Sequence, residues 1–261
     1  MSEHDDDPFY VGWGTTSSVD RRFLLGAVPV TLAGVGGIGA FVASALGDPG
    51  AGAWHTGKLH TLRGILSEEP YPIIRVPTDV GGFPTRTVLV VAQGKCTAAM
   101  DFSSGQGYAI AATGVLIERK GRQMLEVPPL LGDWAEPIDE NFGLYPPPVV
   151  KLVAENITLR GTILDTKCFM GVMRPSLGRT HKACASLCIR GGIPPSFRVV
   201  TKQGQESVML LTDENGQKYS EAILPFVADP IAMTGRVIQI GDSLQFRAAV
   251  STIARIGGRR I

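Results

Sequence analysis

Two short stretches of this chain echo each other, and that echo limits the fold more than any other feature. "TLRGIL" at 61–66 returns as "TLRGTIL" at 158–164, and "ATGVLIERKGRQMLEV" at 112–127 resembles "MTGRVIQIGDSLQFRA" at 233–248. In each pair the pattern is strand, glycine-containing turn, strand. Residues 114–127 alternate between apolar and polar around Lys120-Gly121, as a half-buried hairpin does, and "IGDSL" at 240–244 supplies the matching turn. The copies differ in length: 50 positions separate Gly64 from Gly114, but 74 separate Gly161 from Gly235. The surplus falls after the first strand of the second copy, where 166–195 reads as an insertion at a loop tip. Function can be added there without disturbing the sheet.

Each copy carries five strand candidates. They are 59–66, 72–76, 86–93, 107–118 and 122–127, then 157–165, 196–202, 206–212, 232–240 and 243–250. A short helix is expected within 220–229. Five strands with a helix before the fourth resemble the OB-fold, a small Greek-key barrel. The expected fold is therefore mainly β, with two OB-like barrels at 54–127 and 151–256. The Pro-rich stretch 128–150 is expected to link them, with Trp134, Phe142 and Tyr145 packing on something. Abundant glycine (32) and proline (18) suit short strands and turns. A net charge of +1 gives no electrostatic case for a nucleic-acid partner.

From Phe23 to Leu46 the chain has no charged residue. About 20 such residues cross a bilayer core as a helix. A transmembrane helix is expected over 20–47, behind a tail at 1–19. Arg21 and Arg22 precede it, so the tail is expected in the cytoplasm and the bulk of the chain in the periplasm, as a single-pass inner-membrane protein. A cleaved export signal is the alternative, with Ala43-Ser44-Ala45 as the peptidase site. Ala33, Gly36, Gly37 and Ala40 form small-xxx-small pairs that let helices approach closely in lipid. Pro29 is expected to bend the first turns.

"CFMGVMRPSLGRTHKACASLC" at 168–188 holds three of the four cysteines. Cys168, His181, Cys184 and Cys188 can form a tetrahedral zinc site, and Met170 and Met173 beside them suit Cu(I). In an oxidising compartment, cysteines more often pair. Cys168 joined to Cys184 or Cys188 would staple the insertion, and Cys96 could take the thiol left over. Cys184 and Cys188 lie one helical turn apart, with His181 three residues before, which favours one face and a shared role. Arg174, Arg179, Lys182 and Arg190 make this loop basic, either as solubilising charge or as a dock for an acidic partner such as a small cytochrome. His4, His55 and His60 have no such cluster near them in sequence.

Residues 159–197 resemble a motif of bacterial exported OB-like domains: a strand ending Gly-x-x-x-Asp, then Cys, then His-x-x-Cys-Ala-x-x-Cys, then Gly-x-Pro. The N-terminal "FYVGW…RRFLL…DPG" is similar to membrane-anchored proteins of bacterial respiratory gene clusters. Neither resemblance implies an activity. The chain lacks the His-x-x-x-Tyr and Cys-x-x-Cys-His patterns of haem attachment, and it lacks serine-hydrolase, zincin and Walker motifs.

The resulting expectation is a non-catalytic accessory subunit of a bacterial membrane redox complex, working beside integral membrane subunits. No cofactor is required by this reading; zinc or copper is the candidate. A metal- or haem-handling protein using the Cys/His loop, and an exported OB-fold binding an extended ligand, are the alternatives.

Overall fold

The computed structural model describes residues 16–45, 50–78, 84–98, 108–128, 134–138 and 147–256. The chain divides into two units, Met1–Asp48 and Pro49–Ile261. In the first, α1 (Ser18–Ala45) runs without a break through Pro29. At about 1.5 Å per residue its 28 residues reach about 42 Å. The helix is long and apolar enough to cross a membrane. Ala33, Gly36, Gly37 and Ala40 are all exposed on it, and a Cβ built at Gly36 or Gly37 would meet nothing within 4 Å.

The second unit is two closed five-stranded barrels. The first comprises β1 (Gly52–Ser67), β2 (Ile73–Pro77), β3 (Thr85–Ala92), β4 (Tyr108–Arg119) and β5 (Arg122–Val127). The strands run β1-β2-β3-β5-β4 and close through β1–β4. After β6 (Ala135–Pro137), the second barrel repeats the plan with β7 (Val150–Asp165), β8 (Pro195–Val200), β9 (Glu206–Thr212), β10 (Ile231–Ile240) and β11 (Ser243–Ala248), with β12 (Ala254–Arg255) beside β10. The two strands that meet in parallel are equivalent in both: β3 with β5 and β9 with β11. This order and closure are OB-like. All ten strand candidates are present, and the expected helix between β9 and β10 is a 3-10 turn, Glu221–Phe226.

The internal repeat holds down to single atoms. Thr61 faces Thr113 in the first barrel and Thr158 faces Thr234 in the second, and each pair of hydroxyls lies 2.8 Å apart. Gly64 and Gly161 occupy equivalent positions. A Cβ there would fall 2.3 Å from the Arg75 carbonyl oxygen and 2.2 Å from that of Arg198. Gly114 and Gly235 are barred in the same way by the carbonyls of Glu126 and Arg247. Glycine at these four sites lets a neighbouring strand approach as the barrel curls.

The stretch expected to link the barrels, with Trp134 packing on something, contributes to the first barrel. β6 pairs with β4, and Trp134 is buried in that barrel's core with Ile110, Ala112 and Leu125. Phe142 and Tyr145 lie outside the described residues, as do His4 and the rest of the tail before residue 16. A separate apolar cluster fastens the barrels together. Val91, Ile117 and Met124 of the first pack with Leu164, Phe169, Met170, Ile193 and Val208 of the second. Across the same unit, the Tyr71 hydroxyl donates to the Leu211 carbonyl at 3.0 Å.

Candidate functional site

The insertion leaves the end of β7 and enters α2 (Thr166–Met170), a single turn. It loops back through a 3-10 turn (Arg179–His181) and continues as α3 (Lys182–Arg190) before β8. Asp165, fully buried, caps α2: its Oδ1 accepts the Cys168 N–H at 2.8 Å. Its Oδ2 lies 2.8 Å from Nε2 of the buried His181. One carboxylate thus fixes both the turn that presents Cys168 and the ring that precedes α3. Gly191 and Gly192 close α3 against Leu187 and Ile189 carbonyls, and Pro195 opens the next strand.

Cys168, Cys184 and Cys188 come together, their sulfurs all within 4.8 Å of one another. Cys168 and Cys188 are buried and Cys184 is half-buried. All four cysteines of the chain are free thiols, so the disulfide expected between Cys168 and Cys184 or Cys188 is not formed here. Polar ties hold the insertion instead. Cys96 is exposed.

The expected four-residue ligand set is divided. His181 groups with Asp165 and Cys168, whereas Cys184 and Cys188 group with Cys168 alone. The helical spacing placed Cys184 and Cys188 correctly on one face of α3, but His181 precedes that helix in a tighter turn and turns its ring to Asp165. Met170 is buried in α2, and Met173 is exposed.

The cation at the thiols comes from the other barrel. Lys95, beyond β3, points its Nζ at Cys184 Sγ at 2.7 Å and at Cys188 Sγ at 3.8 Å. The contact with Cys184 raises the Lys95 ammonium above its ordinary value. Cys188 is pushed down to about 7, first by the hydrogen bond from Cys168, and also by the Lys95 charge and Cys184. Cys168 is pushed up, by that same hydrogen bond, by burial and by the nearby Asp165. Of the two, Cys188 is the thiol that gives up its proton first.

A buried ion pair locks this arrangement to the first barrel. Lys167 Nζ lies 2.6 Å from Glu126 Oε1 and donates to the carbonyls of Ala92 (2.7 Å) and Gly94 (2.9 Å). Glu126 also accepts from Trp54 Nε1 at 3.1 Å, and Arg119 donates to the Phe169 carbonyl at 2.7 Å. At Gly191 the insertion meets the first barrel: its carbonyl accepts the Thr97 N–H at 2.8 Å, and a Cβ would lie 1.7 Å from the Lys95 carbonyl oxygen.

Most of the loop's positive charge is consumed internally. Lys182 and Arg179 pair with Asp229 at 2.8 and 3.5 Å, and Arg190 with Glu221 at 3.4 Å. Arg174 is the exception among the described residues. His55, without a partner in sequence, lies 3.1 Å from Glu118 across the β1–β4 pairing.

No family model matches the chain. No curated protein matches it either. Two chains among solved structures do match. One, described as drosophila Unr CSD456, is 10% identical with a TM-score of 0.20, over 77% of this chain and 63% of that one. The chain thus spans less than two thirds of that structure's length. The OB-like assignment rests on strand order and closure.

Proposed function

We propose that this chain is a membrane-attached protein that holds one thiophilic metal ion through Cys168, Cys184 and Cys188. The observation that carries the reading is the convergence of three sulfurs within 4.8 Å at the junction of two barrels. Buried thiols brought this close repel one another when ionised, and a cation among them removes that cost. Lys95 brings one positive charge to the edge of the group and marks where a metal's charge would be favoured. Three thiolates suit Cu(I) best. A closed zinc site uses four ligands, and the fourth candidate, His181, is bonded to Asp165.

Reduced full-length protein titrated with Cu(I) against a chromogenic competitor should take up one ion per chain. Cys184→Ser and Cys188→Ser should each abolish that stoichiometry, while His181→Ala should keep it and lose thermal stability. Uptake equally damaged by His181→Ala would replace the three-thiolate site with a Cys3His zinc site. Reduced protein that binds neither copper nor zinc would sink the reading.

The second reading keeps the expected accessory subunit of a membrane redox complex. What favours it is α1, 28 residues long, apolar and exposed along its length. Gentle extraction through a C-terminal tag should recover stoichiometric membrane partners, and a lone monomer would overturn it.

A further inference from the structure

Between the barrels lies a cleft of about 580 Å3, within the range of small-molecule sites. Both barrels build it: β3 and the β4–β5 turn from the first, β9 and the β10–β11 turn from the second, and α2 from the insertion. The thiols are not among its lining residues. Phe169, Met170, Val208 and Leu210 give it an apolar floor, and Arg119 lies over the Phe169 ring at 3.9 Å.

The polar groups on the cleft wall are unevenly matched. Two carboxylates among the described residues line it, and both are engaged. Glu206 accepts from Lys120 at 2.8 Å and from Arg198 at 2.6 Å. Asp242 accepts the backbone N–H of Thr87 on both oxygens, at 3.0 and 3.2 Å. Arg86 and Arg122 also line the cleft, and neither side chain makes a hydrogen bond or ion pair among the described residues. Their guanidinium groups are planar forks suited to carboxylate, sulfonate or phosphate oxygens. Arg122 lies in the field of Glu206 and Asp242, and Arg86 in that of Glu118, but neither guanidinium fork is occupied by a hydrogen-bond partner among the described residues. A concave apolar floor below two such forks selects a particular ligand chemistry. An apolar body would cover the floor, and an anionic group at one end would meet the arginines.

We propose that this inter-barrel cleft binds a small organic anion with an apolar body, its charged group held by Arg86 and Arg122. The site is separate from the thiols but shares α2 with them, since Phe169 and Met170 follow Cys168 directly.

The test uses the full chain in lipid nanodiscs, with naphthalene-2-sulfonate and its uncharged counterpart naphthalene-2-sulfonamide as probes, followed by calorimetry. The sulfonate should bind once per chain, and about ten-fold or more tighter than the sulfonamide, the scale of a charge-assisted hydrogen bond. Arg86→Gln with Arg122→Gln should remove that preference and leave sulfonamide binding unchanged. Lys202→Gln, an exposed cation outside the cleft, should change neither. Equal binding of the two probes by the unaltered protein would overturn the site without recourse to any variant. So would an unchanged sulfonate affinity in the double variant, or an equal loss in Lys202→Gln, which would reduce the effect to general charge attraction.

Discussion

Single atoms decide whether the insertion can seat on the first barrel. Gly191 has ordinary helical backbone angles (φ −73°, ψ −2°), so its identity is set by space alone. Gly191→Ala should cost about 1–3 kcal/mol, the range of overpacked sites. Denaturant unfolding would check it, and an unchanged midpoint would show that the seam gives way. Lys167 and Glu126 are 3% and 9% exposed. Glu126→Gln should therefore cost about 3–5 kcal/mol, because Lys167 is left as a buried charge without its partner. Lys167→Met with Glu126→Leu should cost less than the two single changes added together. A strictly additive double-mutant cycle would contradict the coupling read from the 2.6 Å contact. Lys95 and Asp165 were the parts of the site hardest to foresee. Asp165 stands in the Gly-x-x-x-Asp pattern, yet nothing in that pattern says it caps α2 and holds His181. Lys95 belongs to the other barrel, and only docking brings it to the sulfurs, so no local spacing could reveal it.

Among the elements, the strands whose faces differ were legible and those exposed on both sides were not. The second half of β1 buries alternate residues, and the second half of β7 alternates before its buried end at Ile163–Asp165, so both read clearly. The first half of β7 is almost wholly exposed, so its residues carry no period-two signal, and its course is broken at Asn156 (φ 51°). The first half of β1 is interrupted by a register shift between Trp54 and Leu59. β6 is three residues long and follows a Pro-rich stretch, too short for any pattern. At this scale Asp229 joins the insertion to the second barrel, since it pairs with Lys182, Arg179 and Arg255. The hydrogen bond from Lys182 leads in holding its carboxyl below the usual value. A depressed folded value means that this stabilisation is present above the unfolded value and is lost as pH falls through the folded one. Asp229→Asn should thus lower stability at neutral pH by about 1 kcal/mol or less, since water still screens these pairs. The gap to the unaltered protein should close in acid, below about pH 4. Thermal melts of both proteins from pH 3 to 7 would show it, and a gap that persists at pH 3 would refute the electrostatic origin.

For the molecule as a whole, one apolar cluster drawn from both barrels predicts a single cooperative unit rather than two independent ones. Calorimetry of the full chain should show one transition for residues 49 onward. Phe169→Ala should move it as a whole by the few kcal/mol expected for a lost core aromatic. Two separated transitions would mean that the barrels only touch. The orientation expected from Arg21 and Arg22 can be tested directly. A reporter active only in the periplasm should work after Ile261 and fail at Gly14, and the reverse result would invert the orientation.

The seat of Gly191 on the Lys95 carbonyl, too close to admit a Cβ, has a consequence for biosynthesis. Lys95 and Thr97 leave the ribosome well before Gly191, so the residues that seat α3 are made before α3 is. N-to-C synthesis thus delivers the seat's residues before the thiol-bearing helix that occupies it. A circular permutant that began at residue 151 would reverse that order. It should reach the same final structure but pass through a longer period with Cys168, Cys184 and Cys188 exposed to oxidation.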